Sequence, residues 1–557
     1  MVQGILRTLS ASIRGLHQAA YLLAALTLVS QILALFRDRI FAHAFGASHT
    51  LDLYYAAFRI PDLVFALVAS LVSAYVIIPR IASLSDTEAK KLLSNAASFL
   101  LIGGGILCAL LAVFMPQLLS IFFPQFAGSS EFVLLARILL IQPILLGLSG
   151  VVTSVTQVHR RFALFALSPV LYNLGIIVGA VFLYPVFGLA GIGAGVVLGA
   201  IAHLSIHLPI LAEAKLFPRF VIPSKEIMWS VMKDSVPRSL ALSFGAFTSL
   251  VLTALAVGVG TGSVAVYTLA GNLAAVPLAL IGASYATAAF PVLAKEAGEN
   301  KTEAFRATLT AAARHLIFWS VTAALLTIVL RAHIVRTIFG TGAFDWDATR
   351  LTAALLGVLI VGLVAQGFVL LASRAFYAAR RSWNPLIIQV AGLLVSTVSA
   401  FLLLSFSATN PFLRDFVEAM LRIEGLPGTD IVFVALGATI GQLVMGALAL
   451  LTLRAVAPGV ARSLFRPLFE GVGAGMVGAL AAYGLLVAMG NIAPLTSLLA
   501  VFTQGLVAGI VGLAVSAAVL VLLENKEFRD LYESLKKMTS AKALPASGTV
   551  LNDQANP

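Results

Sequence analysis

The sequence predicts an all-α polytopic membrane protein of about fourteen transmembrane helices, two pseudo-symmetric six-helix lobes plus two C-terminal helices. Three observations carry this. Of the 557 residues, 60% are hydrophobic and only 11% are charged, with a mean hydropathy of +1.01, whereas a soluble domain carries about a quarter charged residues. Apolar runs of about twenty residues recur between residues 21 and 523. Finally, Lys and Arg fill every other connecting loop, and the loop pattern of the first half returns in the second.

Taken in order, spans are expected at roughly 20–45, 52–79, 93–115, 132–156, 163–183 and 187–212, which with their loops make an N-lobe over 19–215. A C-lobe over 225–456 holds spans at roughly 227–257, 264–291, 307–331, 351–378, 385–407 and 430–453, and two further helices occupy 466–523. Residues 1–18 carry Arg7 and Arg14 but no long apolar core with a small-residue cleavage site. They read as an amphipathic helix on the membrane surface rather than a cleaved signal peptide. The basic loops carry Arg80, Lys90 and Lys91; Arg160 and Arg161; Lys215, Arg219, Lys225 and Lys233; Lys295, Lys301 and Arg306; Arg380 and Arg381; and Arg454, Arg462 and Arg466. Loops 46–51, 116–130, 184–186, 258–263 and 490–494 contain neither Lys nor Arg. Only 332–350 and 408–429 break the pattern, and both also carry acids. Both termini are therefore expected on the cytoplasmic side, including a polar tail over 524–557.

The repeat rests on shared order. Pro79 is followed by a Thr-Glu-Ala triplet at 87–89, and Pro291 by the same triplet at 302–304. Arg160-Arg161 with Pro169 then match Arg380-Arg381 with Pro385. An even number of spans per unit keeps both units in the same orientation, so their axis runs along the membrane normal with a cavity between them.

Charge inside the spans marks the candidate site. Arg37, Asp38, Arg39, Asp52, Arg59 and Asp62 all fall within 31–79, in or beside apolar helix. Groups so placed line a wet cavity or pair with one another. Asp52 and Arg59 are spaced to share a helix face, and Pro61 removes a backbone donor beside them. The plainer reading is local neutralisation, Arg37 with Asp38 or Asp52 and Arg59 with Asp62. Arg137 is a further intramembrane cation, whereas Arg374 is close enough to a span end to snorkel.

Other chemistry is thin. The single cysteine, Cys108, excludes an internal disulfide. His203 and His207 have a metal-compatible spacing without an acid or cysteine nearby, which favours polar packing. The stretch GENKT lacks the Gly-Lys-[Ser/Thr] of a phosphate loop. No hydrolytic Ser/His/Asp constellation stands out. The reading is a transporter without catalytic residues, resident metal or cofactor, drawing any uphill work from a coupling ion, the membrane potential or a partner. Glycines in GLAGIGAGVVLGA (188–200) indicate close helix contact.

Four stretches resemble the MurJ/MviN family: FRDRIFAHAFGASHTLDLYYAAFRIPDL (36–63), RRFALFALSPVLYN (160–173), IFGTGAFDWDATRLTAALL (338–356) and RAFYAARRSWNP (374–385). This family comprises the lipid II flippases of the MOP superfamily, to which MATE exporters and polysaccharide flippases also belong. The resemblance extends over nearly the whole chain. It implies a cationic cavity between two six-helix lobes, a groove for a polyprenyl tail made by the last two helices, and residence in the bacterial cytoplasmic membrane. It also implies alternating access that carries a diphosphate-linked sugar-peptide head outward. Arg37, Asp38 and Asp52 fall on the family's Phe-Ala-Arg-Asp and downstream Asp positions. The chain departs elsewhere. Gln31 stands at a cavity arginine, Phe65 and Ala66 at an Arg-Arg pair, Ser70 at an acid, and Asn272 at the arginine of the eighth helix. Gln and Asn supply only neutral donors to a diphosphate, so Arg39 or Arg59 would substitute from a neighbouring face.

The leading reading is a lipid II flippase. Arg37 is its main headgroup cation, Asp38 and Asp52 hold or release that arginine, and Arg59, Gln31, Arg39 and Asn272 assist. A MATE-like exporter of small organic cations, or of another glycolipid, is the rival; it would have a net negative cavity. A third reading is a transport-dead scaffold that recruits cell-wall synthesis proteins through its cytoplasmic loops.

Overall fold

Unpaired backbone amides are not tolerated in hydrocarbon, and the chain meets this demand with helix alone. The computed structural model describes residues 16–72, 74–81, 83–492 and 497–529, with no strand among them. The first half comprises α1 (Leu16–Phe45), α2 (His49–Ile81), α3 (Asp86–Phe122), α4 (Ser130–Val158), α5 (Phe162–Phe187) and α6 (Leu189–Glu213). The second comprises α7 (Lys225–Val259), α8 (Ser263–Gly298), α9 (Thr302–Phe339), α10 (Trp346–Ala378), α11 (Trp383–Thr409) and α12 (Ile431–Leu453). Then come α13 (Val460–Asn491) and α14 (Leu498–Leu522). From α2 onward, 13 helices are long and apolar enough to cross a membrane, and the 30-residue α1 completes the expected set. Of the segment expected to be amphipathic over 1–18, residues 1–15 lie outside the described residues and 16–18 already belong to α1. Of the tail 524–557, residues 530–557 lie outside them.

Several helices overrun their expected ends. Neither Pro79 nor Pro291 stops its helix, since α2 continues to Ile81 and α8 to Gly298. A proline late in a helix forfeits one backbone bond, and the few remaining residues retain theirs. Likewise α3 passes through Pro116. The expected stop near 331 is also too early. Ile334, Val335, Ile338 and Phe339 keep the apolar period going, and Arg336 is accommodated over the Trp346 ring at 5.1 Å. Arg336 and Arg350, which seemed to break the loop pattern, thus sit in helices α9 and α10.

The glycine-rich stretch packs as expected. Gly175 and Gly179 of α5 meet Gly195 and Gly199 of α6, and a Cβ on Gly195 would lie 2.7 Å from the Gly175 carbonyl oxygen. The connection between the halves, 214–224, is irregular but tied down. Its Arg219 and Val221 amides donate to Ser94 Oγ and Ser98 Oγ of α3 at 2.9 Å each, and the Ser224 amide donates to Asn95 Oδ1 at 2.6 Å.

The cores reveal the shape of the molecule. At the end with few Lys and Arg, one core spans both halves, uniting Phe41, Tyr54 and Leu135 with Val264, Leu355 and Phe433. At the Lys/Arg-rich end there are two. One gathers Ile77, Leu93 and Val151 with Met228 and Val231 of α7, and the other gathers Leu293, Leu316, Phe376 and Leu453. The first turns of α7 therefore belong to the first half's core. Helices α13 and α14 pack on each other and on α9, through Leu326, Ala482, Leu486 and Ala508.

Because the α5–α6 contact is backbone on backbone, Gly195→Val is expected to cost about 1–3 kcal/mol by overpacking. Thermal unfolding of the purified protein in detergent checks this: an unchanged melting temperature would contradict the contact.

Candidate substrate-binding site

Between the halves runs a cavity of three adjoining compartments, about 150, 210 and 290 Å³, whose largely apolar walls carry a set of polar side chains. The compartment against the first half is lined by Arg37, Tyr54, Tyr55, Arg59, Tyr172 and Asn272. The middle one shares Arg59, Thr268 and Asn272 with it and adds Gln366 and Gln442. The last, within the second half, shares those glutamines and adds Thr248, Ser249, Gln389 and Ser396. Among the described residues the linings contain two arginines and no carboxylate.

Arg37 is already engaged. Its Nε and Nη2 donate to Asp38 Oδ1 at 3.0 and 2.7 Å, and its Nη1 donates to Asn173 Oδ1 at 3.0 Å. Asn173 in turn donates to the Pro169 carbonyl at 3.0 Å, one turn back on α5. Asp38 is 1% exposed, and its second oxygen accepts from Asn272 Nδ2 at 2.9 Å. One carboxylate thus joins α1 to α8. Of the two pairings considered for Arg37, the structure makes the one with Asp38.

Arg59 is less committed. The α2 backbone is interrupted at Phe58, between segments His49–Ala57 and Arg59–Val68. Arg59 Nη2 reaches Thr268 Oγ1 at 3.4 Å, and its Nε is enclosed without a partner among the described residues. Tyr55 Oη and Gln442 Oε1 line the same cavity and also lack partners. A buried polar atom left unpaired costs about 1–3 kcal/mol, so these three groups are poised to take one.

Asp52 and Arg39 do different work. Asp52 faces α8, as Arg59 does, but higher up. Its Oδ2 accepts the Gly262 amide at 2.5 Å and its Oδ1 the Ala265 amide at 2.8 Å. A carboxylate there satisfies orphan donors and complements the helix dipole. Arg39 lies two residues from Arg37 and so on another face of α1. Its Nη1 donates to the Thr337 and Ile338 carbonyls at 2.6 and 3.1 Å, closing the last turn of α9. Arg39 is therefore turned away from the cavity, and it does not stand in for a missing arginine. Three turns interlock around these caps. The Ala343 amide donates to the His43 carbonyl at 2.9 Å, and a Cβ on Gly262 (φ +84°) would lie 2.5 Å from the Ala47 carbonyl oxygen. Gln31 is half-buried on α1 and does not line these three compartments.

Ser70 reaches Ser239 of α7 at 2.5 Å, a seam contact where the family pattern has an acid. Arg137 donates to the Ala112 carbonyl at 2.8 Å from an exposed position. His207 is fully buried between Thr153 Oγ1 (2.7 Å) and Thr156 Oγ1 (3.0 Å), and His203 pairs with Ser149. This is polar packing, and no group of metal-ligating side chains occurs among the described residues. Sequence reasoning missed Asn173, Gln366, Gln389 and Gln442. Their signal was a lone amide in an apolar run, which is real but unspecific.

Two sets of six helices around a cavity, shut at one end by a shared core, make a helical membrane protein, and the family it matches is one of membrane transporters. Residues 41–411 match the family model for the lipid II flippase MurJ, and the chain belongs to that family. It is 26% identical over 407 residues to the lipid II flippase MurJ of Burkholderia cenocepacia, covering 70% of this chain and 78% of that one. It is 27% identical over 491 residues to a probable lipid II flippase MurJ of Bdellovibrio bacteriovorus, covering 85% and 89%. A solved lipid II flippase MurJ in an inward closed conformation shares the fold at a TM-score of 0.70 and 21% identity, over 91% of this chain and 100% of that one. An inward-facing MATE family transporter of the MOP superfamily does so at 0.61 and 17%, over 80% and 99%.

The different duties of the two side chains on α2 are separable. Asp52→Ala leaves two helix-end donors unmet and is expected to lower stability by about 1–2 kcal/mol. Arg59→Gln is expected to leave the melting temperature in detergent unchanged or raised. The reverse order would show that Arg59, not Asp52, holds the halves together.

Proposed function

We propose that the protein carries lipid II across the bacterial cytoplasmic membrane by alternating access. Arg59 and then Arg37 receive the diphosphate, and the amide-lined compartment of the second half receives the sugar-peptide. The lining of the cavity carries this reading: two arginines, hydroxyls and amides, with no carboxylate. A diphosphate needs charge-assisted donors, and Arg59 has an unused one. Arg37 must first be shared with Asp38, so it acts second, although the sequence alone put it in the leading role. Asn272 replaces a cation but keeps its hold on Asp38. The same lining disfavours an exporter of organic cations, which would need free carboxylates.

With the Lys/Arg-rich end and both termini in the cytoplasm, the shared core faces outward and the cavity is offered to the inner leaflet. Export then requires the Asp52 and Arg39 caps to part and the two inner cores to approach each other. An inside-negative potential favours outward movement of an anionic head by about 2.3 kcal/mol per charge per 100 mV, so the potential biases the loaded limb of the cycle.

The test is rescue of a bacterium depleted of its own lipid II flippase, at matched membrane levels. Wild type is expected to rescue, and Arg59→Ala and Arg37→Ala to fail or rescue weakly. Loss of a hydrogen bond to a charged group costs about 1.5–3 kcal/mol. Full rescue by both variants would remove these arginines from transport and favour the scaffold for cell-wall synthesis proteins. Failure of well-expressed wild type, followed by rescue in a strain lacking another polyprenyl-linked lipid flippase, would move the substrate to that lipid.

A further inference from the structure

A second polar cavity, about 320 Å³, lies at the Lys/Arg-rich end and away from the seam between the halves. Glu303, Arg306, Thr310 and Arg314 share one face of α9's first turns and form one wall. Lys526 and Glu527, in the helical turn that starts after Asn525 beyond α14, form the other. This turn is built into the fold. Phe528 packs on the Phe318–Leu520 cluster, and its amide donates to Asn525 Oδ1 at 2.8 Å. Asn525 Nδ2 donates to Glu470 Oε2 of α13 at 2.5 Å, and Arg314 Nε donates to Glu527 Oε1 at 2.5 Å.

The charges are not balanced inside this pocket. Among the described residues Arg306 has only a long contact with Glu303, at 3.6 Å. Lys526 is exposed and makes no hydrogen bond or ion pair among the described residues. Glu527 is 3% exposed, and its Oε2 is enclosed without a donor among the described residues. The pocket therefore presents Lys526 and Arg306, the latter only loosely balanced by the exposed Glu303, beside one unmet buried acceptor. A ligand that is an anion and also carries an O–H or N–H donor satisfies both.

Depth selects the source of such a ligand. At 38 residues α9 is about 57 Å long, against a hydrocarbon core of about 30 Å, so its first turns rise clear of the lipid tails. At the floor of the pocket the lining residue His315 stacks on Tyr285 at 5.9 Å, and Trp319 follows one turn on. Aromatic rings of this kind mark the headgroup level. Leu522 and Leu523, 82% and 45% exposed, offer apolar surface beside Lys526. Basic pockets between helices on the cytoplasmic side suit phosphate-bearing lipid heads.

We propose that this cavity binds the head of a glycerophospholipid. Its phosphate lies on Arg306 and Lys526, and a hydroxyl or ammonium of the head donates to Glu527 Oε2. Phosphatidylglycerol and phosphatidylethanolamine have this chemistry, and phosphatidylcholine, without a donor, does not. A lipid bound there fastens the end of α14 to α9 and leaves the central cavity untouched.

Native mass spectrometry of the full chain in detergent, titrated with each of these three lipids and with glycerol 3-phosphate, tests the assignment. Phosphatidylglycerol or phosphatidylethanolamine should bind at least about tenfold more tightly than phosphatidylcholine, and the double variant Arg306→Gln/Lys526→Gln should lose about tenfold. The variant's lipid-free melting temperature should not change, because both side chains are exposed. Equal binding of all three lipids, or undiminished binding by the double variant, would overturn the proposal. Displacement of the lipid by glycerol 3-phosphate at equal concentration would assign the pocket to soluble phosphate esters and overturn the lipid part.

Discussion

The Asp52 carboxylate reaching across to the first amides of α8 is the contact on which the arrangement of the halves depends. Helix ends carry unpaired donors or acceptors, and in a membrane there is no water to satisfy them. Here the missing partners come from the opposite half. Asp52 serves an N-terminus and Arg39 a C-terminus, each with the charge that the helix dipole prefers. Closure made in this way is strong while dry, yet each group can exchange its partner for water once the mouth is wet. A purely apolar seal of the same area would offer no such exchange.

The cavity pairs a fully engaged arginine with one whose Nε has no partner among the described residues. Asp38 divides its two oxygens between Arg37 and Asn272, so the carboxylate neutralises one guanidinium while tying α1 to α8. An arginine at 272 would compete with Arg37 for the same carboxylate and leave more positive charge in the cavity. With asparagine there, Asp38 neutralises Arg37 alone, and the lining keeps the guanidinium groups of Arg37 and Arg59.

The spans were legible because they are written in long windows, in runs of about twenty apolar residues. The shared Thr-Glu-Ala and Arg-Arg positions pointed to a repeat, and each half supplies six long helices. Helix ends were less so. Arg336 looks like a loop residue until Trp346 is seen beneath it. Arg37 and Arg39 are two residues apart and alike in sequence, yet only one lines the cavity, because rotation about α1 separates their faces. The spacing of Asp52 and Arg59 indicated a common face but not that Asp52's target is the start of a helix over two hundred residues later. Long-range caps leave no local periodicity to read.

The connector between the halves adds a constraint of its own. Its amides at Arg219, Val221 and Ser224 are pinned to Ser94, Ser98 and Asn95, and the first turns of α7 lie in the first half's core. The covalent link is therefore a short leash already drawn taut, not slack rope. The halves cannot swing as two bodies on a loose string. One body ends partway along α7, and whatever angle opens between them must be taken up inside that helix, where Pro237 has already removed a rung of the ladder.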